Sequence, residues 1–401
     1  MPHPSQPGAL GDAQASPLIT DNPGQARTTE RYPVEFTGSG SEYFRIWIVN
    51  LLLTLVTFGL YYPWARVRKF RYFYGNTHVA GHALDFHGEP KRMLRGFLLV
   101  GALFIAYNMA SSVSPTAGGI AGLIFMAVWP ALLRASLQFR LANTSWRGLR
   151  FQFTGSMKGV YLAFAIPALI LIAAIAAGIG LIVTRHTAGI IGGAILMTLA
   201  YVAAGPYIFY RFKKYQHENY VYGQVHTAFR VSFGDVFKVF AKTAGVAIAV
   251  AVLGGTLVAV LLAAGIVEGS RPGASWMASP LLAPVVFAVI VAIYAVPIPY
   301  WQSRMQNLVW TQTGSRDLRF KSHLGFGPLF KQTLINWTLM VLTLGFYWPF
   351  AAIAMARLRL QALTVHARID LDTLVSRQKA AQHREGAGDA AVDMAGIDFG
   401  L

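Results

Sequence analysis

The sequence contains no cysteine, and only 13% of its 401 residues are charged. The missing thiols exclude disulfide bonds, cysteine-ligated zinc, iron–sulfur clusters and thiol nucleophiles. Soluble globular domains usually carry about 25% charged residues. The low charge therefore argues against an ordinary soluble domain.

Familiar catalytic motifs are missing as well. We find no nucleotide-binding loop, nucleophile elbow or dinucleotide fingerprint in a credible context. His217–Glu218 is followed by Val221 where a zinc-protease motif needs a second histidine. The six central apolar segments also lack interior charges, which ion-coupled carriers usually keep. We therefore expect a protein that is not an enzyme, binds no cofactor and is not a coupled pump.

Long apolar runs are abundant. The chain is 55% hydrophobic with a mean hydropathy of +0.46, and several runs reach the ~20 residues that a helix needs to cross a bilayer. The runs do not alternate in polarity, unlike the strands of membrane β-barrels. They predict an all-α polytopic membrane protein with six to eight transmembrane helices in hairpins. The central segments pair as 96–108 with 117–133, 160–183 with 188–210, and 244–267 with 280–300.

The net charge of +17 has a clear distribution. Of the 34 Lys and Arg residues, only Arg185 and Arg271 lie in the short turns within these pairs. The positive-inside rule therefore places the basic connections between pairs in the cytoplasm. We expect the basic loops to contact anionic lipid headgroups, and we expect no nucleic-acid partner.

One motif occurs twice. Residues 50–65 (NLLLTLVTFGLYYPWA) and 336–351 (NWTLMVLTLGFYWPFA) align without a gap, which indicates an internal repeat. Its distinctive positions are candidates for an intramembrane site or hinge: Asn50, Gly59, Tyr61, Tyr62, Pro63, Trp64, Asn336, Gly345, Tyr347, Trp348 and Pro349.

These positions have two interpretations. The aromatic residues suit an interfacial belt, and the two asparagines suit hydrogen bonds between helices. Alternatively, the copies are broken helices that frame a site, as in transporters built from repeats.

The two copies also leave two topologies open. If both copies span the membrane, there are eight helices and both termini lie outside. If each copy enters and leaves on one face, there are six spans and cytoplasmic termini. Gly59 and Pro63 interrupt a segment shorter than a full span, which favours six. The long apolar stretch at 332–356 favours eight.

A second repeat lies in the connections. Residues 76–88 (NTHVAGHALDFHG) and 143–155 (NTSWRGLRFQFTG) share Asn, Thr, Gly, Phe and Gly at identical spacing. Weaker copies occur at 219–233, 311–320 and 364–371, and the FTG at 36–38 resembles the end of such a unit. Short alternating runs around a small residue predict short cytoplasmic β-hairpins between the helix pairs. We expect several to join into one small sheet, since isolated hairpins are marginal.

Three histidines are close in sequence. A turn could gather His78, His82 and His87 with Asp85 around a metal, which would suit a membrane enzyme. The related segment at 143–155 holds no histidine, however, so the repeat does not require a metal. We expect no metal site.

The chain divides into three parts. Residues 1–31 and 376–401 are rich in small and polar residues, so we expect disordered tails. Residues 32–375 form the expected membrane domain with interleaved hairpins.

The run at 42–77, EYFRIWIVNLLLTLVTFGLYYPWARVRKFRYFYGNT, together with a later G-x4-F-x-G, resembles the YjgN family of bacterial inner-membrane proteins. The resemblance covers about residues 36–370. The second motif copy departs from the pattern, with Phe350 in place of Trp64. The resemblance implies a multi-pass protein of the bacterial cytoplasmic membrane and supplies no catalytic residues.

Two functions follow as hypotheses. The first is permeation or transport of a small or amphipathic solute between the broken helices. The alternative is a membrane scaffold that binds a protein partner through its basic loops and β-hairpins.

Overall fold

The structure, a computed structural model, describes residues 29–264 and 282–380. Six of the described helical segments are long and apolar enough to cross a membrane. They are Pro90–Val113, Pro115–Ala142, Met157–Val183, Thr187–Glu218, Phe233–Ala263 and Leu282–Thr311. The expected tails lie outside the described residues, apart from 29–31 and 376–380.

The chain is built from five units, each a strand, a helical hairpin and a second strand. The first contains β1 (Glu30–Phe36), α1 (Gly40–Val56), α2 (Tyr62–Gly75) and β2 (Thr77–Val79). The second contains β3 (His82–Phe86), α3 (Pro90–Val113), α4 (Pro115–Ala142) and β4 (Thr144–Trp146). The third contains β5 (Leu149–Phe153), α5 (Met157–Val183), α6 (Thr187–Glu218) and β6 (Tyr220–Tyr222).

The last two units vary this plan. The fourth contains β7 (Val225–His226), β8 (Ala228–Phe229), α7 (Phe233–Ala263), α8 (Leu282–Ala295), α9 (Pro297–Thr311) and β9 (Thr313–Gly314). The fifth contains β10 (Leu318–Ser322), α10 (Phe326–Leu342), α11 (Trp348–Gln361) and β11 (Leu363–Ala367). A further helix at 371–380, which we call the cap helix, follows β11.

The five units share one register. In each unit we call the first strand and helix incoming, and the last helix and strand outgoing. The two strands of a unit pair antiparallel. The last residue of the incoming strand lies opposite the first residue of the outgoing strand. These pairs are Phe36 with Thr77, Phe86 with Thr144, Phe153 with Tyr220, Phe229 with Thr313, and Ser322 with Leu363. One backbone hydrogen bond also recurs in every unit: Thr37 N to Asn76 O, His87 N to Asn143 O, Thr154 N to Asn219 O, Arg230 N to Gln312 O, and His323 N to Ala362 O. The repeat is therefore fivefold.

The strands form one sheet that closes into a barrel. Each strand pairs with its neighbours along the chain, and β11 pairs with β1. β7 and β8 lie at the two ends of the strand order in the sheet. They are the two halves of one bent strand, on either side of Thr227. β7 pairs with β6 and β8 pairs with β9, so this strand closes the ring. Closure leaves no long unpaired edge.

The expectation of an all-α protein is therefore wrong, because the short strands join into an eleven-stranded sheet. Each is too short for a stable hairpin of its own, and closure supplies partners on both sides. The segment at 364–371 contains most of β11, and the FTG at 36–38 begins at the last residue of β1. β11 and β1 pair with each other, although no turn connects them.

Asparagine and threonine side chains end several of the outgoing helices in the same way. The side-chain nitrogens of Asn76, Asn143 and Asn219 donate to the carbonyl four residues earlier, at 2.7–2.8 Å. The hydroxyls of Thr77 and Thr144 bond the next carbonyls in the same manner. These bonds satisfy helix-terminal carbonyls that lack intrahelical partners. The chain can then turn directly into a strand.

A proline recurs 12 residues before the last residue of every outgoing helix. The five are Pro63, Pro130, Pro206, Pro299 and Pro349, and all are buried. Proline lacks an N–H and clashes with the preceding turn, so it kinks a helix interior or starts a new helix. In the first and last units it begins α2 and α11.

The barrel interior is apolar. Along β10, Leu318 and Phe320 line the interior cavity and alternate with Arg319 and Lys321, as a strand with one buried face requires. The far end of the barrel is covered by the cap helix, whose Leu371, Leu374 and Val375 are buried against Trp146, Leu149 and Tyr222. An ion pair between Arg147 and Asp372 also joins this helix to the β4–β5 turn.

Candidate functional site: the barrel cavity

The two motif copies form matching helical hairpins. α1 and α10 each end at a left-handed pair, Phe58–Gly59 and Leu344–Gly345, with φ of +89° and +91° at the glycines. Glycine adopts this conformation without a Cβ clash. Before each pair, a threonine hydroxyl donates to a backbone carbonyl of the preceding helical turn. The same hydroxyl accepts the backbone N–H of Tyr61 or Tyr347. The glycines and threonines thus build the turn.

The tips of both turns are apolar and exposed. Phe58 is 97% exposed and Leu344 is 89% exposed. Both arms of each hairpin end at the barrel, because β1 precedes α1 and β2 follows α2, while β10 and β11 flank the other copy. Large exposed apolar tips of this kind mark surfaces that contact lipid or another apolar partner.

The motif asparagines are buried against neighbouring side chains. Asn50 Oδ1 accepts from Arg68 Nη1 at 3.4 Å, and Asn336 Oδ1 accepts from Gln332 Nε2 at 2.8 Å. The aromatic positions stack within each hairpin, Tyr61 on Trp64 at 6.0 Å and Tyr347 on Phe350. Tyr62 and Trp348 are exposed and Pro63 and Pro349 are buried. Of the eleven candidate residues, none belongs to the cavity wall seen in the described chain. Their role as an intramembrane site stays a prediction.

The three histidines have separate surroundings. His82 Nδ1 lies 2.8 Å from the carbonyl of Ala80, and His87 Nε2 lies 2.8 Å from Ser145 Oγ. His78 Nδ1 is buried without a partner among the described residues. Within 29–264 and 282–380 there is no cluster of three metal-ligating side chains.

The structure instead presents a cavity of about 750 Å³ inside the barrel, where the outgoing helices meet the strands. This lies within the 300–1,000 Å³ typical of small-molecule sites. Strand side chains from all five units form its wall, together with Leu371 of the cap helix. The second-to-last residue of each outgoing helix region also faces it: Tyr74, Leu141, His217, Trp310 and Leu360.

Three cationic side chains reach the cavity from three units: Arg140 on α4, Lys213 on α6 and Arg359 on α11. None of the described cavity-lining residues is a carboxylate, and the ion pairs of the described chain involve other residues. Burial lowers the pKa of the Arg359 guanidinium, although arginine keeps its charge in proteins. The cavity is therefore apolar with a positively charged rim.

Glutamines orient two of these cations. Lys213 Nζ donates to Gln216 Oε1 at 2.9 Å. Arg359 Nε donates to Gln306 Oε1 at 2.8 Å, and Gln306 Nε2 returns a bond to the Arg359 carbonyl. Both glutamines are buried. Neutral acceptors hold the side chains in place without cancelling their charge.

Sequence reasoning missed these three residues. Arg140, Lys213 and Arg359 lie near the ends of their helices, outside the apolar segment interiors. There they are indistinguishable from cations that follow the positive-inside rule. The fivefold proline spacing was a signal that could have aligned the units. It would have placed Arg140 and Arg359 at one equivalent position, two residues before the last residue of each helix.

These features define a class: a multi-pass helical membrane protein in which five helical hairpins surround a closed β-barrel with a cationic cavity. The profile of a bacterial family described as "Bacterial protein of unknown function (DUF898)" matches residues 31–394. The chain belongs to this family, and the expected YjgN relationship is confirmed.

Curated relatives agree. The chain is 33% identical over 139 residues to the inner membrane protein YjgN of Escherichia coli O157:H7, covering 34% of this chain and 35% of the relative. It is 30% identical over 150 residues to YjgN of Salmonella typhimurium strain LT2, covering 37% and 38%. The alignments thus span little more than a third of each relative. With six membrane-capable helices, these matches support a multi-pass inner-membrane location. No solved structure matches the chain.

Proposed function

We propose that this protein is a non-enzymatic carrier that moves a small amphipathic solute between the bilayer and its barrel cavity. The observation that carries the proposal is the cavity itself, which a closed barrel encloses directly beside the ring of helices. Side chains just fill a barrel of about eight strands, whereas wider barrels leave an internal space that a solute can occupy.

The entry to the cavity lies between α6 and α9. Phe209 of α6 and Trp301 and Gln302 of α9 line the cavity and lie nearest to the membrane-facing parts of these helices. Lys213 stacks over Phe209 at 5.9 Å, so a charged group already lies next to this apolar entry. A solute with a polar head and an apolar body fits such a passage.

We further propose that the barrel faces the cytoplasm. The basic residues cluster around the barrel, and the positive-inside rule favours that side. Arg31, Arg150 and Arg319 lie on exposed strand positions, where they can contact anionic headgroups.

A transport assay tests the proposal. The purified protein is reconstituted in phosphatidylcholine vesicles with trace fluorescent phosphatidylglycerol, and movement between leaflets is followed by dithionite quenching. We expect the fraction quenched to rise from about one half, the share of a bilayer's lipid in its outer leaflet, towards completeness. A plateau equal to that of protein-free vesicles would contradict transport of this amphiphile.

Because the sequence has no cysteine, a single introduced thiol can be labelled to block transport, and a second position can serve as the control. Gln302→Cys places a thiol on the cavity wall, and Arg304→Cys places one outside the lining on the same helix. After reaction with a bulky maleimide, the first variant should lose transport and the second should keep it. Equal rates would contradict the proposed route.

The scaffold alternative has one supporting observation, the outward row of Arg319 and Lys321 on β10. Replacing both by glutamate would abolish co-purification of an acidic protein partner if this face docks one. Replacing the outward Thr364 by serine on the neighbouring β11 provides the control.

A further inference from the structure

The cationic rim of the cavity is electrostatically unbalanced. Arg140 and Arg359 line the same cavity as Lys213, so its wall carries three positive charges. Like charges in a confined, partly desolvated space disfavour one another unless an opposite charge lies between them. The described lining supplies no such counter-charge.

These cations also retain unused hydrogen-bonding capacity. The guanidinium of Arg140 has no recorded hydrogen bond within the described chain, and Arg359 uses only Nε, in its bond to Gln306. Nearby, the indole N–H of Trp301 is buried and has no partner among the described residues. Donors on separate helices thus line one cavity, and the Arg140 guanidinium and the Trp301 indole N–H have no acceptor among the described residues.

The rest of the wall has the opposite character. From the helix ends towards the cap helix, the cavity is bounded by Val79, Leu84, Val365 and Leu371, with Trp146 beside them. This apolar part can take up a hydrocarbon chain, while the cations hold a head at the helix ends.

We propose that Arg140, Lys213 and Arg359 bind the phosphate head of an anionic amphiphile, whose apolar chain lies in the barrel. Arginine forks suit phosphate oxygens, and lysine adds a point charge. Three positive charges match a phosphate monoester, with about −1.5 to −2, better than a carboxylate with one. This inference rests on the proposed function and names its substrate class.

Direct binding tests the inference without transport. Radiolabelled dodecyl phosphate is titrated onto the purified full-length chain in a neutral detergent, with competition by inorganic phosphate, dodecanoate and dodecyl maltoside. We expect dodecyl phosphate to bind at least tenfold tighter than the other three, and its affinity to fall as salt rises.

Matched variants locate the site. Lys213→Gln and Arg140→Gln should each weaken binding at least tenfold. Lys214→Gln, next to Lys213 but paired with Glu218, and Arg150→Gln, on an exposed strand position, should change it less than twofold. Lys213→Arg should retain most of the affinity, which separates loss of charge from misfolding. Unchanged melting temperatures verify that each variant is folded.

Each outcome is decisive. Equal affinity for inorganic phosphate would assign the site to the free ion and overturn the amphiphile. Equal affinity for dodecanoate would overturn the phosphate head, and equal affinity for the maltoside would overturn a cationic site. If Lys213→Gln abolishes binding while the wild-type protein fails to move lipid in vesicles, the site stands and transport fails. If the wild-type protein moves lipid but these variants bind dodecyl phosphate as tightly as the wild type does, this inference alone fails.

Discussion

At the residue scale, glycines decide how closely α5 and α6 approach. A Cβ on Gly193 would lie 2.4 Å from the carbonyl oxygen of Gly178, and one on Gly178 would lie 3.0 Å from that of Gly193. Small residues allow such close helix packing in membranes. Their neighbours Gly180 and Gly192 face open space. Close packing therefore depends on one glycine of each pair.

We predict that Gly193→Ala destabilises the protein by about 1–3 kcal/mol, because the methyl group must push two helix backbones apart. Thermal unfolding in detergent measures the change. Gly192→Ala, one residue away with no neighbour within 4 Å, is the control and should have little effect. Equal melting temperatures for the two variants would contradict the packing described.

At the element scale, the cap helix at 371–380 is held mainly by apolar contacts. Leu374 is buried against the core that contains Trp146 and Tyr222, and Gln378 accepts the N–H of Gln224. We predict that Leu374→Asp releases this helix, because an unpaired buried carboxylate is costly. Faster tryptic cleavage after Arg377 would report the release. Ser376→Ala, on the exposed side, should leave cleavage unchanged.

Asp370 begins this helix as its N-cap. Its carboxylate accepts from the backbone N–H and the hydroxyl of Thr373, at 2.9 and 2.8 Å. These bonds hold the pKa of Asp370 below its ordinary value. The stabilisation is therefore present above the ordinary pKa and is lost as pH falls through the lowered one.

We expect hydrogen exchange of 371–380, corrected for the intrinsic rate, to rise in that acidic range. At neutral pH Asp370→Ala should raise it too, whereas Asp370→Asn should not, because asparagine also caps helices. Identical exchange in the two variants would show that the cap does not anchor the helix.

At the scale of the whole molecule, the barrel is closed by its own chain ends. Arg31 of β1 lies directly opposite His366 of β11. Directly opposed residues of antiparallel strands have Cα atoms about 4.5–5.5 Å apart, which a disulfide can bridge.

We predict that Arg31→Cys with His366→Cys forms an intramolecular disulfide in the otherwise cysteine-free chain. Arg31→Cys with Thr364→Cys, shifted by two residues, should not. Gel mobility and peptide mass after mild oxidation measure both. Efficient crosslinking of the shifted pair alone would refute the register of the closing strands.

Closure also places β1 and β11 on the same side of the membrane. We expect reporter fusions before Met1 and after Leu401 to be active in the cytoplasm. Periplasmic activity at both ends would contradict the proposed orientation. A cytoplasmic reporter at one terminus and a periplasmic reporter at the other would contradict the barrel itself, because β1 and β11 could not then pair.

The membrane class, the repeated hairpin motif and the family follow from the amino-acid sequence alone. Long apolar runs, glycine-proline turns and Asn-Thr helix ends each act locally, so their effects can be read without the fold.

The closed barrel of short strands becomes visible in the folded chain alone, because strands pair with partners that are distant in sequence. β11 and β1 are more than three hundred residues apart and pair nonetheless. For the same reason only the structure brought Arg140, Lys213 and Arg359 to one cavity. Each looks like an ordinary basic residue at a helix end until ring closure turns the three towards the same interior.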